Sequence, residues 1–257
     1  MINIISIKDL ISFIRFRIAF QASFLALAGY LLSHAPDTRL IFVFLTSFLG
    51  LGGVYAYNDI TDKKEDLVNR KRINPFVDNK GLLIATLCFF FGGICSLFLP
   101  NTSTFFYLSL IMTGLIYSRF RIKRYLLIKN LYTGFWITQA FLLGNMSFTY
   151  EALLYYLLFS ILFFVGSLIS DLRDYNGDKS AGIITIPVRF GYEQGKNLVY
   201  FFIFLVSALI VTMDLNKLLI LLPFSFLAIF FLNRDRADVA HVCGGFSIIF
   251  LVIRLIA

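Results

Sequence analysis

Long apolar stretches alternate with short polar intervals along the whole chain. Nine stretches can be read, at roughly residues 18–33, 40–57, 81–99, 103–118, 126–146, 152–170, 197–213, 215–232 and 240–256. Each holds about 16–21 residues, enough to cross ~30 Å of hydrocarbon at 1.5 Å per residue, the shortest ones barely. A spanning segment must satisfy its own backbone, so these are helices rather than strands. The pattern predicts an all-α polytopic membrane protein of about nine transmembrane helices. No soluble module or linker interrupts it, so residues 1–257 read as a single transmembrane domain. Lys8, Asp9, Arg15 and Arg17 delay the first long apolar run, and no A-x-A-like cleavage site follows it. The first helix is therefore expected to be retained rather than removed as a signal peptide.

Composition agrees with the pattern. Hydrophobic residues make up 59% of the chain, against roughly 45–50% for a soluble domain, and the mean hydropathy is +0.82. Charge then sets the orientation. If nine spans alternate the loops between two sides, one side collects most of the 23 Lys and Arg. The other side receives only Arg39, Lys217 and Arg254. The positive-inside rule places the N-terminus in the cytoplasm and the C-terminus outside, in the cell membrane. The net charge of +8 reflects this topology and does not point to nucleic acid. Cys88, Cys95 and Cys243 lie inside predicted spans, without metal-ligand spacing, and read as packing residues. His34 and His241 are too few and too far apart in sequence for a metal cluster.

The expected external loops are short, at 34–39, 100–104, 145–151 and 214–217. Two cytoplasmic loops are long, at 58–80 and 171–196. Each begins with an Asp-containing continuation of a helix, then carries basic residues and a Pro, in a faint echo of one another. Elaborate loops on one side place function there.

The chemistry sits in these loops. Asn58, Asp62 and Asp66 are spaced i, i+4, i+8, on one face if the helix continues past the membrane surface. Asp171, Asp174 and Asp178 are spaced i, i+3, i+7, again one face. Each segment alone could be a solvated acidic helix end. Stacked carboxylates repel one another, however, and two such sets call for a cation. Oxygen donors without nearby His or Cys favour Mg²⁺ or Ca²⁺ over Zn²⁺. Mg²⁺ uses one or two carboxylates and fills its shell with water and substrate phosphate. Two acidic faces looking at each other across a cavity would hold a diphosphate through Mg²⁺. Arg70, Lys71 and Arg72 follow the first segment, and Arg119, Arg121, Lys123 and Arg124 fill the next cytoplasmic loop. Such residues can clamp phosphate oxygens, although topology alone also demands them there.

With these residues in view, the sequence resembles the UbiA superfamily of intramembrane prenyltransferases. The pattern NDxxDxxxD matches Asn58, Asp59, Asp62 and Asp66, and DxxDxxxD matches Asp171, Asp174 and Asp178. The run from Gly182 to Gly191 is similar to the family's G-x-x-T-x-P-V-x-x-G element. Tyr117 and Arg121, with Lys123 close by, approach its Tyr-x-x-x-Lys element. Two departures stand out. Asn74 precedes Pro75 where the family usually has Arg, so that Arg70 or Arg72 would take over a phosphate contact, and Arg121 replaces the usual Lys.

The resemblance implies a helical bundle around a central cavity, open to chemistry at its cytoplasmic side. It implies Mg²⁺-dependent transfer of a prenyl group from a polyprenyl diphosphate to a lipophilic acceptor within the bilayer. Asn58, Asp62, Asp66, Asp174 and Asp178 would be metal ligands, and Arg70, Arg72, Arg121 and Lys123 diphosphate contacts. Tyr57, Tyr117 and Tyr175 would line the substrate pocket, with Tyr55, Tyr132, Phe135 and Trp136 as further aromatic candidates near an allyl cation. Asp171 is a candidate for positioning the acceptor or taking its proton. Aromatic quinone precursors, a prenylated glycerol phosphate, a carotenoid end and a porphyrin all remain open as acceptors. Two other readings compete. One is a cyclase of the same fold that needs no acceptor. The other is a divalent-cation or solute transporter, which would place its ligands at mid-membrane on broken helices.

Overall fold

In a computed structural model the chain is described over residues 6–68 and 73–257, and these contain twelve α-helices and no strand. All nine apolar stretches fall on helices. Among the described residues six helices are long and apolar enough to cross a bilayer: Phe16–Ser33, Arg39–Lys63, Asn79–Ser96, Tyr150–Arg173, Tyr192–Thr212 and Ala237–Ile256. The protein is an integral membrane protein built from helices.

Two compact units can be distinguished, one of residues 1–121 and 139–147, the other of residues 122–138 and 148–257. The first contains α1 (Ile7–Phe13), α2 (Phe16–Ser33), α3 (Arg39–Val68), α4 (Asn79–Ser96) and α5 (Asn101–Arg119), and also the C-terminal part of α6 (Ile128–Asn145). Helix α3 is its centre and packs on α1, α2, α4 and α5. Local chemistry starts these helices. Ser6 and Asp9 form a reciprocal capping box on α1. Asp78 accepts from the backbone of Lys80 and Gly81 at the start of α4.

The second unit contains the N-terminal part of α6, then α7 (Tyr150–Arg173), α8 (Tyr175–Ser180), α9 (Ile186–Phe190), α10 (Tyr192–Thr212), α11 (Leu221–Leu232) and α12 (Ala237–Ile256). Its core joins Phe164, Val165, Leu168, Ile169 and Leu172 of α7 to Val199 and Ile203 of α10, and to Ala240 and Cys243 of α12. The three cysteines are free thiols, Cys243 buried and the others partly so, as expected of packing residues.

Helix lengths depart from the apolar stretches in two instructive places. The stretch at 215–232 divides into a 3₁₀ turn (Asn216–Leu218) and the 12-residue α11. That helix rises about 18 Å, short of the hydrocarbon thickness. The chain turns through Asp214 in the left-handed region (φ 52°) just before it. In the other direction, α3 runs for 30 residues without a break. It rises about 45 Å, some 15 Å more than the hydrocarbon thickness.

Large apolar side chains face outward on α4 and α10, among them Leu83, Phe90, Phe91, Phe201 and Phe204. Such a surface suits lipid rather than water. Inside, helices approach through small residues. A Cβ placed on Gly144 of α6 would overlap the Ala26 carbonyl of α2, and one on Gly29 would overlap the Phe141 carbonyl. Asn145 secures the same crossing, donating to the Gly29 carbonyl at 3.2 Å and to Ser33 Oγ at 2.6 Å.

Gly144→Leu is accordingly expected to destabilise the detergent-solubilised protein by about 1–3 kcal/mol, the range for overpacking a close contact. Gly166→Ala, whose new Cβ meets nothing within 4 Å, should leave the thermal midpoint unchanged or slightly raised. Melting curves of the two variants against the parent protein check this.

Candidate functional site

The unbroken course of α3 carries Asn58, Asp62 and Asp66 on one face, as their spacing requires. The Asp66 side chain lies outside the described residues. Asn58 Nδ2 donates to Asp62 Oδ2 at 3.0 Å. Ser118, in the last turn of α5, donates from Oγ to Asn58 Oδ1 at 3.0 Å. Asp62 is 7% exposed, so its carboxylate is sunk into the helices and leans on an amide. Sequence reasoning missed Ser118. Its place directly after Tyr117 was the available signal.

One residue further round the helix, about 100° away, Asp59 does something else. Arg15 Nη2 lies 2.7 Å from Asp59 Oδ1. The same guanidinium sits 5.4 Å from the centre of the Tyr55 ring. Arg15 is at the corner between α1 and α2, in a left-handed conformation (φ 46°). It read as one more cytoplasmic positive charge in the sequence, and in the structure it pins that corner to α3. A polar cleft of about 270 Å³ lies alongside, lined by Lys8, Asp9 and Ser12 of α1, Asp59 of α3, and Ile73, Asn74 and Val77.

Asn74 has a structural task. Its Nδ2 donates to the Asp9 carbonyl at 2.9 Å, and its Oδ1 accepts from Phe76 N at 3.0 Å, which ties the loop to α1. Arg70 and Arg72, the residues expected to supply phosphate contacts nearby, lie outside the described residues. Arg121 follows α5 with a positive φ of 50°, and Lys123 lies in the 3₁₀ turn Ile122–Arg124. Both are partly buried.

The aromatic candidates divide by burial. Tyr57 is half-buried, packed against Phe13, Ala56, Val77 and Ala85. Tyr117 is partly buried on α5. Tyr55 and Trp136 are buried, whereas Phe135 is 44% exposed. Tyr175 begins α8, its ring 5.4 Å from that of Tyr192, with the Lys179 ammonium 5.7 Å from its centre.

The second acidic segment is not one continuous helix. Helix α7 ends at Arg173, and Asp174 (φ −92°, ψ 4°) caps it before α8 begins. The three carboxylates therefore have different settings. Asp171 is buried, Asp174 exposed and Asp178 partly buried. Lys129 Nζ lies 2.5 Å from Asp171 Oδ1, and Asn130 Nδ2 donates to Asp171 Oδ2 at 2.9 Å. Asp174 receives two hydrogen bonds from Arg173, Nε to Oδ1 and Nη2 to Oδ2, both 2.8 Å. These bonds hold its carboxyl below the usual Asp range. Partial burial opposes the shift, and the charges of Arg173, Lys129 and His241 add to it. Asp174 thus stays ionised at neutral pH. Lys129 and Asn130 were not candidates from sequence. They follow a basic loop whose charges topology already explained.

Among the described residues no three His, Cys, Asp or Glu side chains gather closely enough to hold a metal ion by themselves. The donors present are amide and carboxylate oxygens. That set fits Mg²⁺ when phosphate oxygens and water complete the shell.

Comparison with known proteins agrees with these features. The model of the UbiA prenyltransferase family matches residues 22–240. The digeranylgeranylglyceryl phosphate synthase of Methanococcus aeolicus is 30% identical over 199 residues, 73% of this chain and 70% of that protein. Among solved structures, the apo form of a UbiA homologue from Aeropyrum pernix K1 superposes with a TM-score of 0.78 at 17% identity, covering 94% of this chain and 98% of that one. A UbiA homologue from Archaeoglobus fulgidus bound to GPP and Mg²⁺ gives 0.77 at 13% identity, covering 96% and 99%. The fold is that of an intramembrane prenyltransferase. The chain belongs to the UbiA prenyltransferase family.

Because Arg15 and Asp59 are both partly exposed, their pairing should be worth little, about 0.5–1 kcal/mol. A double-mutant cycle of Arg15→Ala and Asp59→Asn, read by denaturation in detergent, is expected to show that coupling. A value indistinguishable from zero would remove the pin assigned to Arg15.

Proposed function

We propose that the chain attaches a geranylgeranyl-type prenyl group to a prenylated glycerol phosphate, taking it from an allylic diphosphate. The observation that carries this choice of acceptor is the 30% identity over 199 residues with a digeranylgeranylglyceryl phosphate synthase. In the reaction the allylic C–O bond breaks and its electrons leave with the diphosphate. The glycerol hydroxyl oxygen then bonds to the freed carbon and loses its proton.

The residues take roles that follow from their chemistry. Asn58, Asp62 and Asp66 of α3, with Asp174 and Asp178 after α7, would hold Mg²⁺. When bound, Mg²⁺ would neutralise the diphosphate and make it a better leaving group. Arg121 and Lys123 would clamp phosphate oxygens, with Arg70 and Arg72 as further contacts. Tyr57, Tyr117 and Tyr175 would offer π-faces to the allylic cation. The apolar helices exclude water, which would otherwise capture that cation.

The charge asymmetry of the loops supports a cytoplasmic N-terminus in the cell membrane, with the acidic segments on the cytoplasmic side. On this reading the three shorter or less apolar helical stretches complete nine spans in a single catalytic domain.

Purified protein given geranylgeranyl diphosphate, Mg²⁺ and a panel of acceptors should yield the doubly prenylated glycerol phosphate, detected by mass spectrometry. Asp62→Ala and Asp174→Ala should each lower kcat/KM at least ~100-fold. Chelation should abolish turnover and added Mg²⁺ restore it. Prenylation of a hydroxybenzoate but not of the glycerol phosphate would overturn the proposed acceptor.

A further inference from the structure

Asp171 is the innermost carboxylate of the second acidic segment, and both its oxygens are engaged within the protein. Lys129 holds Oδ1 at 2.5 Å, and Asn130 holds Oδ2 at 2.9 Å. Asn130 Nδ2 also donates to Ser167 Oγ at 3.0 Å, one turn back on α7. Asp171 is 5% exposed. A carboxylate bound in this way is badly placed to take a proton from an acceptor or to join a metal shell. Its fixed geometry suits it instead to aim the group it holds.

That group is the Lys129 ammonium. An ammonium has three N–H donors, and Asp171 takes one. The lysine side chain keeps 22% of its surface exposed, against 6% for that of Asp171. It lies near enough to Asp174 for its charge to act there. Replacing a buried ion pair by an apolar pair of similar shape is often neutral or stabilising, so stability gives little reason for this one. What it supplies is a fixed positive charge beside a segment otherwise rich in carboxylates, a natural partner for phosphate oxygens.

We propose that Lys129 is a phosphate-binding residue of this enzyme, aimed by Asp171, Asn130 and Ser167, which act as positioning residues. The ligand chemistry is a phosphate ester or anhydride carried by a substrate. Two sources share it, the diphosphate of the prenyl donor and the phosphate of the acceptor. Only the second depends on the proposed glycerol phosphate acceptor.

The test uses the full chain in detergent or nanodiscs with Mg²⁺ present. Inorganic pyrophosphate and glycerol 3-phosphate serve as calorimetric probes, alongside steady-state kinetics. Lys129→Met should weaken one probe about tenfold, the loss expected for a charged hydrogen bond. It should raise KM for the matching substrate by a similar factor while kcat changes less, and Lys129→Arg should recover most of the loss. Weaker pyrophosphate binding assigns the lysine to the donor, and weaker glycerol phosphate binding assigns it to the acceptor. The double variant Lys129→Met/Asp171→Leu removes both charges together and so guards against misfolding of the single variant. It should melt near the parent temperature and still bind the probe poorly. Probe binding restored in the double variant, or unchanged within twofold in Lys129→Met, would overturn the assignment. A parent enzyme that ignores the glycerol phosphate acceptor, yet loses pyrophosphate binding with Lys129, would sink the proposed acceptor and leave this assignment standing.

Discussion

A carboxylate at the end of an apolar helix must be compensated, and the polar architecture of this protein is built around that need. An ion moved out of water loses several kcal/mol of solvation unless a partner replaces it. Partners come from a helix corner, from the same helix and from a neighbouring helix. Asp59 is met by Arg15 from the corner of α1 and α2. Asp62 leans on Asn58, which Ser118 of α5 holds in turn. Asp171 is met by Lys129 and Asn130 at the start of α6. Each pairing fixes how neighbouring helices meet within a unit. The acidic segments are thus joints of the fold as well as the proposed seats of chemistry.

Helix geometry divides the labour among neighbouring acids. Asp59 and Asp62 are three residues apart, yet one serves the corner at Arg15 and the other shares the face of Asn58. After α7 the division is made by a break rather than by rotation. Ending the helix at Arg173 leaves Asp171 inside and puts Asp174 at the surface, where Arg173 keeps it ionised. A continuous helix would have kept the three carboxylates on one face. The cap therefore separates a buried acid, Asp171, from the exposed Asp174 and the partly buried Asp178.

The rest of the molecule gives these joints a dry frame. Outward-facing Phe and Leu on α4 and α10 meet lipid, while Gly29 and Gly144 let α2 and α6 approach to backbone contact. Lipid offers no hydrophobic drive for helices to associate, so close packing and buried hydrogen bonds such as those of Asn145 take its place.

Much of this was legible in the linear pattern. Apolar stretches long enough for a bilayer can satisfy their backbones only as helices, so class and approximate helix positions follow from the chain itself. The spacing of Asn58, Asp62 and Asp66 is likewise a local property, because 3.6 residues per turn decides which side chains share a face. Other features depend on contacts that spacing does not encode. The break at Asp174, the shortness of α11, the staple made by Asn74 and the burial of Asp171 each rest on a partner or turn set by packing. Lys129 and Arg15 show the difference most clearly. Both read as ordinary positive charges near the membrane surface. Only the folded chain brings each within hydrogen-bonding distance of one particular carboxylate, 42 and 44 residues away, because electrostatic pairing acts through space and not along the sequence.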